Sequence, residues 1–282
     1  MNETLKPISL VRLTAFIVMV VFLLIGLYLF FFAESVATLP AATRGNQVWP
    51  WPIGPLAIQF VAAVFLAWAV SALLLALRPD APTLIANTTV LTIGSVFLLL
   101  HILLNRNIIN WSKPLAAIWL VFLAVLFLVT LAVTLTVRQR TVLTSPPLPS
   151  TPQAALYVDL FISILTGIVG IAMLFFPQFS IRYWPWDLGN TTNVQLLGAL
   201  FTAVSISVFW VWKQPSWYGY DTLYATAGTF ALVALVASFT RWDLFAAHPI
   251  TKIIFVIVYA VGGVLGFYPY FRYGLRQMNR MN

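Results

Sequence analysis

Long apolar runs separated by short polar or proline-containing breaks dominate the chain. They cover about 12–32, 55–77, 84–104, 114–137, 156–176, 193–212, 219–240 and 251–271. Each approaches or exceeds the roughly 20 residues that a helix needs to cross a bilayer core. The run over 115–137 shows no period-two alternation. That excludes membrane β-strands, which alternate over about ten residues. With no water at that depth, each segment must satisfy its own backbone groups, so the pattern predicts eight transmembrane α-helices. The first run follows Lys6 and Arg12, as a signal sequence would. It exceeds the usual apolar stretch of about 7–15 residues, and it has a counterpart at 156–176, so a retained helix is expected.

The breaks recur in step. Trp49-Pro50-Trp51 returns as Trp184-Pro185-Trp186, and at the same spacing Arg78 meets Lys213, Arg106 meets Arg241, and Pro114 meets Pro249. The reading is an all-α integral membrane protein: eight helices as a tandem parallel repeat of two four-helix units, over 1–140 and 154–282. Residues 141–153, rich in proline, form a semi-rigid spacer. The first loop of the first unit is longer than its counterpart through the segment 38–47. The prolines at 55, 114 and 249 stand where helices begin, a position at which the missing N–H costs nothing.

Composition confirms the solvent. Hydrophobic residues make up 61% of the chain and charged residues 8%, against roughly 25% charged in a soluble domain. The basic residues are dispersed singly at segment ends, which reads as topology and headgroup anchoring rather than a nucleic-acid surface. An even number of helices per unit turns both units the same way. Lys6, Arg12, Arg78, Arg138, Arg140, Lys213, Arg272, Arg276 and Arg280 then share one side; Arg44, Arg106, Lys113, Arg182, Arg241 and Lys252 share the other. The larger group marks the cytoplasmic side. The expectation is a bacterial inner (cell) membrane protein with both termini in the cytoplasm and both Trp-Pro-Trp turns facing outward.

The chain has no cysteine, which excludes disulfides, thiolate metal sites and cysteine nucleophiles. Several residues stand out against the apolar background. Trp49, Pro50 and Trp51, with Trp184, Pro185 and Trp186, suit interfacial turns; they would equally suit an aromatic wall around an outer cavity. His101, near a helix end, is the one candidate cofactor ligand within a span, for a haem iron or a pigment magnesium. Asp159 and Asp221 are acids about one turn inside their segments, a functional-site hypothesis by default in a membrane. Gln59 and Gln195 occupy similar places in duplicated helices, either as interhelical hydrogen-bonding groups or as the lining of a polar path. Glycines at 262, 263 and 266, and at 167 and 170, favour close helix packing within the chain.

No phosphate-binding loop, dinucleotide fingerprint, HExxH, GxSxG or CxxCH motif is present. In topology and helix count the chain resembles small four-helix membrane families such as the DoxX-like proteins, here in tandem. That resemblance brings no diagnostic motif and implies no site residue. The sequence reading is therefore a non-catalytic accessory or structural subunit of a larger membrane complex, with no cofactor. Its expected partners are membrane lipids and other integral subunits, and no nucleic acid. Two alternatives stay open: a small-solute or lipid transporter with its site between the repeats, and a redox or light-harvesting component using His101.

Overall fold

The computed structural model describes residues 5–37, 49–141, 153–184, 186, 188–212, 217–244 and 249–269. The elements are α1 (Leu5–Phe31), α2 (Ala33–Val36), α3 (Pro55–Leu77), α4 (Ala81–Leu104), α5 (Pro114–Thr141), α6 (Gln153–Phe175), α7 (Pro177–Tyr183), α8 (Thr191–Trp212), α9 (Trp217–Thr240) and α10 (Pro249–Pro269), with one 3-10 turn at Trp242–Leu244. No strand occurs among the described residues. Among the described residues, seven helices are long and apolar enough to cross a membrane, and α6 with α7 gives an eighth span if that bent pair is taken as one. The protein is a multi-pass helical chain suited to a lipid bilayer.

Local chemistry explains the boundaries. Proline opens α3, α5 and α10, as the sequence leads one to expect. Asp80 caps α4 by accepting the Thr83 backbone N–H at 2.8 Å, satisfying one of the amides that a helix start leaves unpaired. Two short helices were not legible in the pattern of apolar runs. One is α2, directly after α1. The other is α7, which leaves α6 at Phe176 through a bend of 115°; Pro177, at the start of α7, cannot continue the α6 hydrogen-bond ladder.

The packing interleaves the two ends of the chain. Helices α3, α4, α8 and α9 occupy the centre, with α3 against α9 and α4 against α8. Around them, α1 lies on α3, α5 on α4, α6 on α8, and α10 on α9. The flanking helices expose apolar side chains such as Leu13, Leu24, Val121, Leu128, Ile168 and Ile257, as a surface solvated by lipid does. Residues 142–152, which hold most of the proline-rich spacer, and residues 38–48, which hold the longer first loop, lie outside the described residues.

Small residues set the closest approaches. A Cβ at Gly198 would stand 2.8 Å from the Leu174 backbone nitrogen, and one at Gly266 would meet the backbone of Gly228. These contacts join α6 to α8 and α9 to α10, so the glycines noted in the sequence serve packing inside the chain. Gly262 differs: a Cβ there would find Ala231 at 3.4 Å, an ordinary contact. Gly266→Ala is expected to lower the thermal midpoint in detergent, at a cost of about 1–3 kcal/mol for overpacking, while Gly262→Ala leaves it nearly unchanged. Equal midpoints for the two variants would refute this account.

Candidate functional site

Two groups of interior polar side chains stand at opposite ends of the central helices. At one end stand the Trp-Pro-Trp turns. Trp49 and Trp51 pack edge to face with ring centroids 5.0 Å apart, and Trp184 and Trp186 do the same at 5.0 Å. The first turn is fixed by its backbone: Lys113 Nζ donates to the Trp49 carbonyl at 3.0 Å, and the Asn110 N–H donates to the Pro50 carbonyl at 2.7 Å. The second turn is joined to the first, because Asn190 Nδ2 donates to the Pro52 carbonyl at 2.8 Å. Pro185 itself lies outside the described residues.

These indoles are not an open wall. Trp49, Trp51 and Trp186 are buried. Trp49 stacks obliquely on Trp119, and Trp186 lies 5.0 Å from Phe60 and 5.1 Å from Phe255. Between the rings of the first cluster only a small apolar crevice remains, bordered by Trp49, Trp51, Phe65, Trp68, Trp119 and Leu200.

Next to Trp51, at a centroid distance of 5.5 Å, lies the ring of His101, fully enclosed. Its Nδ1 stands 3.3 Å from Asn105 Nδ2. Asn105 Nδ2 donates to the His101 carbonyl at 3.0 Å. Asn105 also donates to Gln195 Oε1 at 2.9 Å, and Gln195 Nε2 donates to the Leu174 carbonyl at 3.1 Å. One amide chain therefore ties α4 to α8 and α8 to the end of α6. The structure brings His101 and Gln195 together through Asn105, a residue that sequence reasoning passed over. Its only signal was a place four residues after His101, one turn along the same helix face.

Gln59 is separate from that network. Its Nε2 donates to the Phe30 carbonyl at 3.2 Å, tying α3 to α1. Gln59 and Gln195 thus each hold a flanking helix against a central one. Neither faces Asp221, which belongs to the other end of the bundle.

There the Arg78 guanidinium, at the C-terminal end of α3, donates to the Asp221 carboxylate near the start of α9. Asp221 is completely buried and the Arg78 side chain is 16% exposed. The long arginine stem carries the guanidinium from the end of α3 to the enclosed carboxylate. Asp221 stands beside Thr222, whose Oγ1 lies 3.4 Å from its Oδ1. Sequence reading took Arg78 as a topology marker and left Asp221 without a partner; the ion pair crosses 143 residues. Asp159 lies on α6, but its side chain falls outside the described residues.

Between the two groups the polar contacts pair helix with helix. Asn87 Nδ2 donates to Ser71 Oγ at 2.7 Å between α4 and α3. Thr134 Oγ1 donates to Thr88 Oγ1 at 2.7 Å, and Thr92 Oγ1 donates to Thr130 Oγ1 at 2.8 Å, both joining α4 to α5. Among the described residues, no three of His, Cys, Asp and Glu come together in a metal-ligand cluster. These contacts fasten one helix to another. Comparison with known protein families, curated proteins and solved structures finds no match to the chain.

Breaking a buried pair by removing one partner strands a charge and costs about 3–5 kcal/mol. Asp221→Ala should therefore destabilise the protein strongly in detergent unfolding. Replacing both partners, Arg78→Met with Asp221→Leu, should restore most of the loss. A double variant no more stable than Asp221→Ala would show that the pair is not the cause.

Proposed function

We propose that this protein is a non-catalytic accessory or structural subunit of a larger membrane assembly. One observation carries the reading: several polar side chains inside the bundle join one helix to another. Arg78 with Asp221, Asn105 with Gln195, and Asn87 with Ser71 each join two helices. Such bonds fasten helices where the hydrophobic effect gives no preference between neighbours. The apolar perimeter on α1, α5, α6 and α10 offers surface to lipid and to neighbouring subunits.

In this proposal the bundle is a tandem parallel repeat of two four-helix units, set in a bacterial inner membrane with both termini in the cytoplasm. Several contacts support the duplication. Gln59 bonds Phe30 as Gln195 bonds Leu174, an offset of 136 on one helix and 144 on the other. Gly26 packs on Leu66 as Gly170 packs on Thr202, with the same two offsets. The buried positions Leu98 and His101 on α4 correspond to the buried Ala234 and Ala237 on α9. In this alignment α3 pairs with α8 and α4 with α9 at an offset of 136, one residue beyond the 135 that relates the Trp-Pro-Trp turns, and His101 corresponds to Ala237.

The mass and composition of the particle extracted from native membranes in mild detergent test the assignment. Further proteins in fixed stoichiometry are expected. A particle of this chain alone would defeat the proposal and favour transport, for which flux into liposomes by Asp159→Asn and Asp221→Asn variants is the next measurement.

The cysteine-free background gives a second test, of topology. Single cysteines at Ser112→Cys and Asp243→Cys, on the loops after α4 and α9, are expected to react with an impermeant maleimide from outside the cell. Labelling of only one of them would exclude a parallel repeat.

A further inference from the structure

The membrane face that carries the Trp-Pro-Trp turns has two unlike corners. At one, Arg241 beyond α9 is ion-paired with Glu34 on α2, so cation and carboxylate cancel. At the other, α7 occupies the place after α6 that α2 occupies after α1. The offset of 144 that relates Phe30 to Leu174 puts Gln178 where Glu34 stands. Arg106 and Arg182 belong to this second corner, and neither has a carboxylate partner among the described residues.

The hydrogen bonds place the pieces. Asn105, directly before Arg106, bonds Gln195, and Gln195 bonds the Leu174 carbonyl at the end of α6. Arg106 thus follows the amide that links the end of α4, through Gln195, to the end of α6, and Arg106 itself is exposed. Helix α7 is seven residues long, about 10 Å, so Arg182 near its far end lies within a short reach of the end of α6. Turned 115° from α6, α7 cannot run along the bundle with it. Its aromatic residues are exposed: Phe176 64%, Phe179 65% and Tyr183 52%. An aromatic helix set across the bundle axis with a basic residue at its end matches the layer where headgroups meet acyl chains.

We propose that this corner binds an anionic phospholipid. Arg106 and Arg182 hold the phosphate, and Phe176, Phe179 and Tyr183 pack against the upper acyl chain. The charge argument decides the occupant: two cations with no carboxylate partner among the described residues, beside exposed aromatic rings, complement a negative headgroup carrying a hydrocarbon tail. The Arg241–Glu34 corner is neutral and serves as the internal control. The site is independent of whether the protein works inside a larger assembly.

The test uses the full chain in detergent, loaded with mixed micelles of phosphatidylglycerol and phosphatidylcholine in equal amounts, with retained lipid counted by native mass spectrometry. Phosphatidylglycerol should be retained over phosphatidylcholine. The Arg106→Gln, Arg182→Gln double variant should lose that preference by about tenfold or more, as expected for two cations near a charged surface. Arg106→Lys with Arg182→Lys should keep much of it, showing that the loss follows charge and not misfolding. Glu34→Gln with Arg241→Gln should leave it unchanged. Equal retention of the two lipids by the native chain, or undiminished preference in the double glutamine variant, overturns the proposal. So does native extraction in which an acidic protein segment, and not lipid, is crosslinked to Arg106.

Discussion

Among helices solvated by lipid, burying an apolar face against another helix gains little over burying it against acyl chains. The choice of neighbour then falls to contacts that lipid cannot imitate: close approach at glycine and bonds between polar side chains. This constraint shapes the whole bundle. Gly228 against Gly266 and Gly170 against Gly198 fix two flanking helices. Gln59 and Gln195 fix the helix ends by reaching main-chain carbonyls. Asn105 and Arg78 then bridge the first and second parts of the chain, each from a central helix to one far away in sequence.

The same constraint explains what could be read from the sequence. Lipid thickness and backbone satisfaction dictate long apolar runs, so the helices and their proline-marked starts were legible. The neighbours were not. Asn105 lies 90 residues from Gln195, and Arg78 lies 143 from Asp221; nothing in the local pattern distinguishes a loop asparagine or an anchoring arginine from a partner. Asp221 attracted attention because an acid in a span is conspicuous, and His101 for a similar reason. Their partners belong to residue types common at helix ends and so gave no contrast. The helices α2 and α7 escaped because they are shorter than any span and continue the apolar character of the helices before them.

The aromatic clusters show how a turn becomes a structural element. Proline between two tryptophans removes an amide donor and fixes the chain's direction, and the rings flanking it fold into the bundle instead of outward. Lys113 and Asn110 secure the first turn through main-chain carbonyls, and Asn190 couples the second turn to the first. Rigid turns in turn fix where α3 and α8 begin, and those two helices carry the glutamines.

The contact of α3 with α9 holds a buried carboxylate and its arginine, whereas the contact of α4 with α8 holds the neutral pair of Asn105 and Gln195. Two identical chains meeting about a twofold axis would have to carry such an ion pair twice or not at all. A single covalent chain has no such obligation. Joining both contacts in one polypeptide lets one seam carry a buried ion pair while the other carries a neutral amide pair, so the molecule has two distinguishable sides. A neighbour docking on its rim would meet a directional object, and could assemble with it in one orientation only.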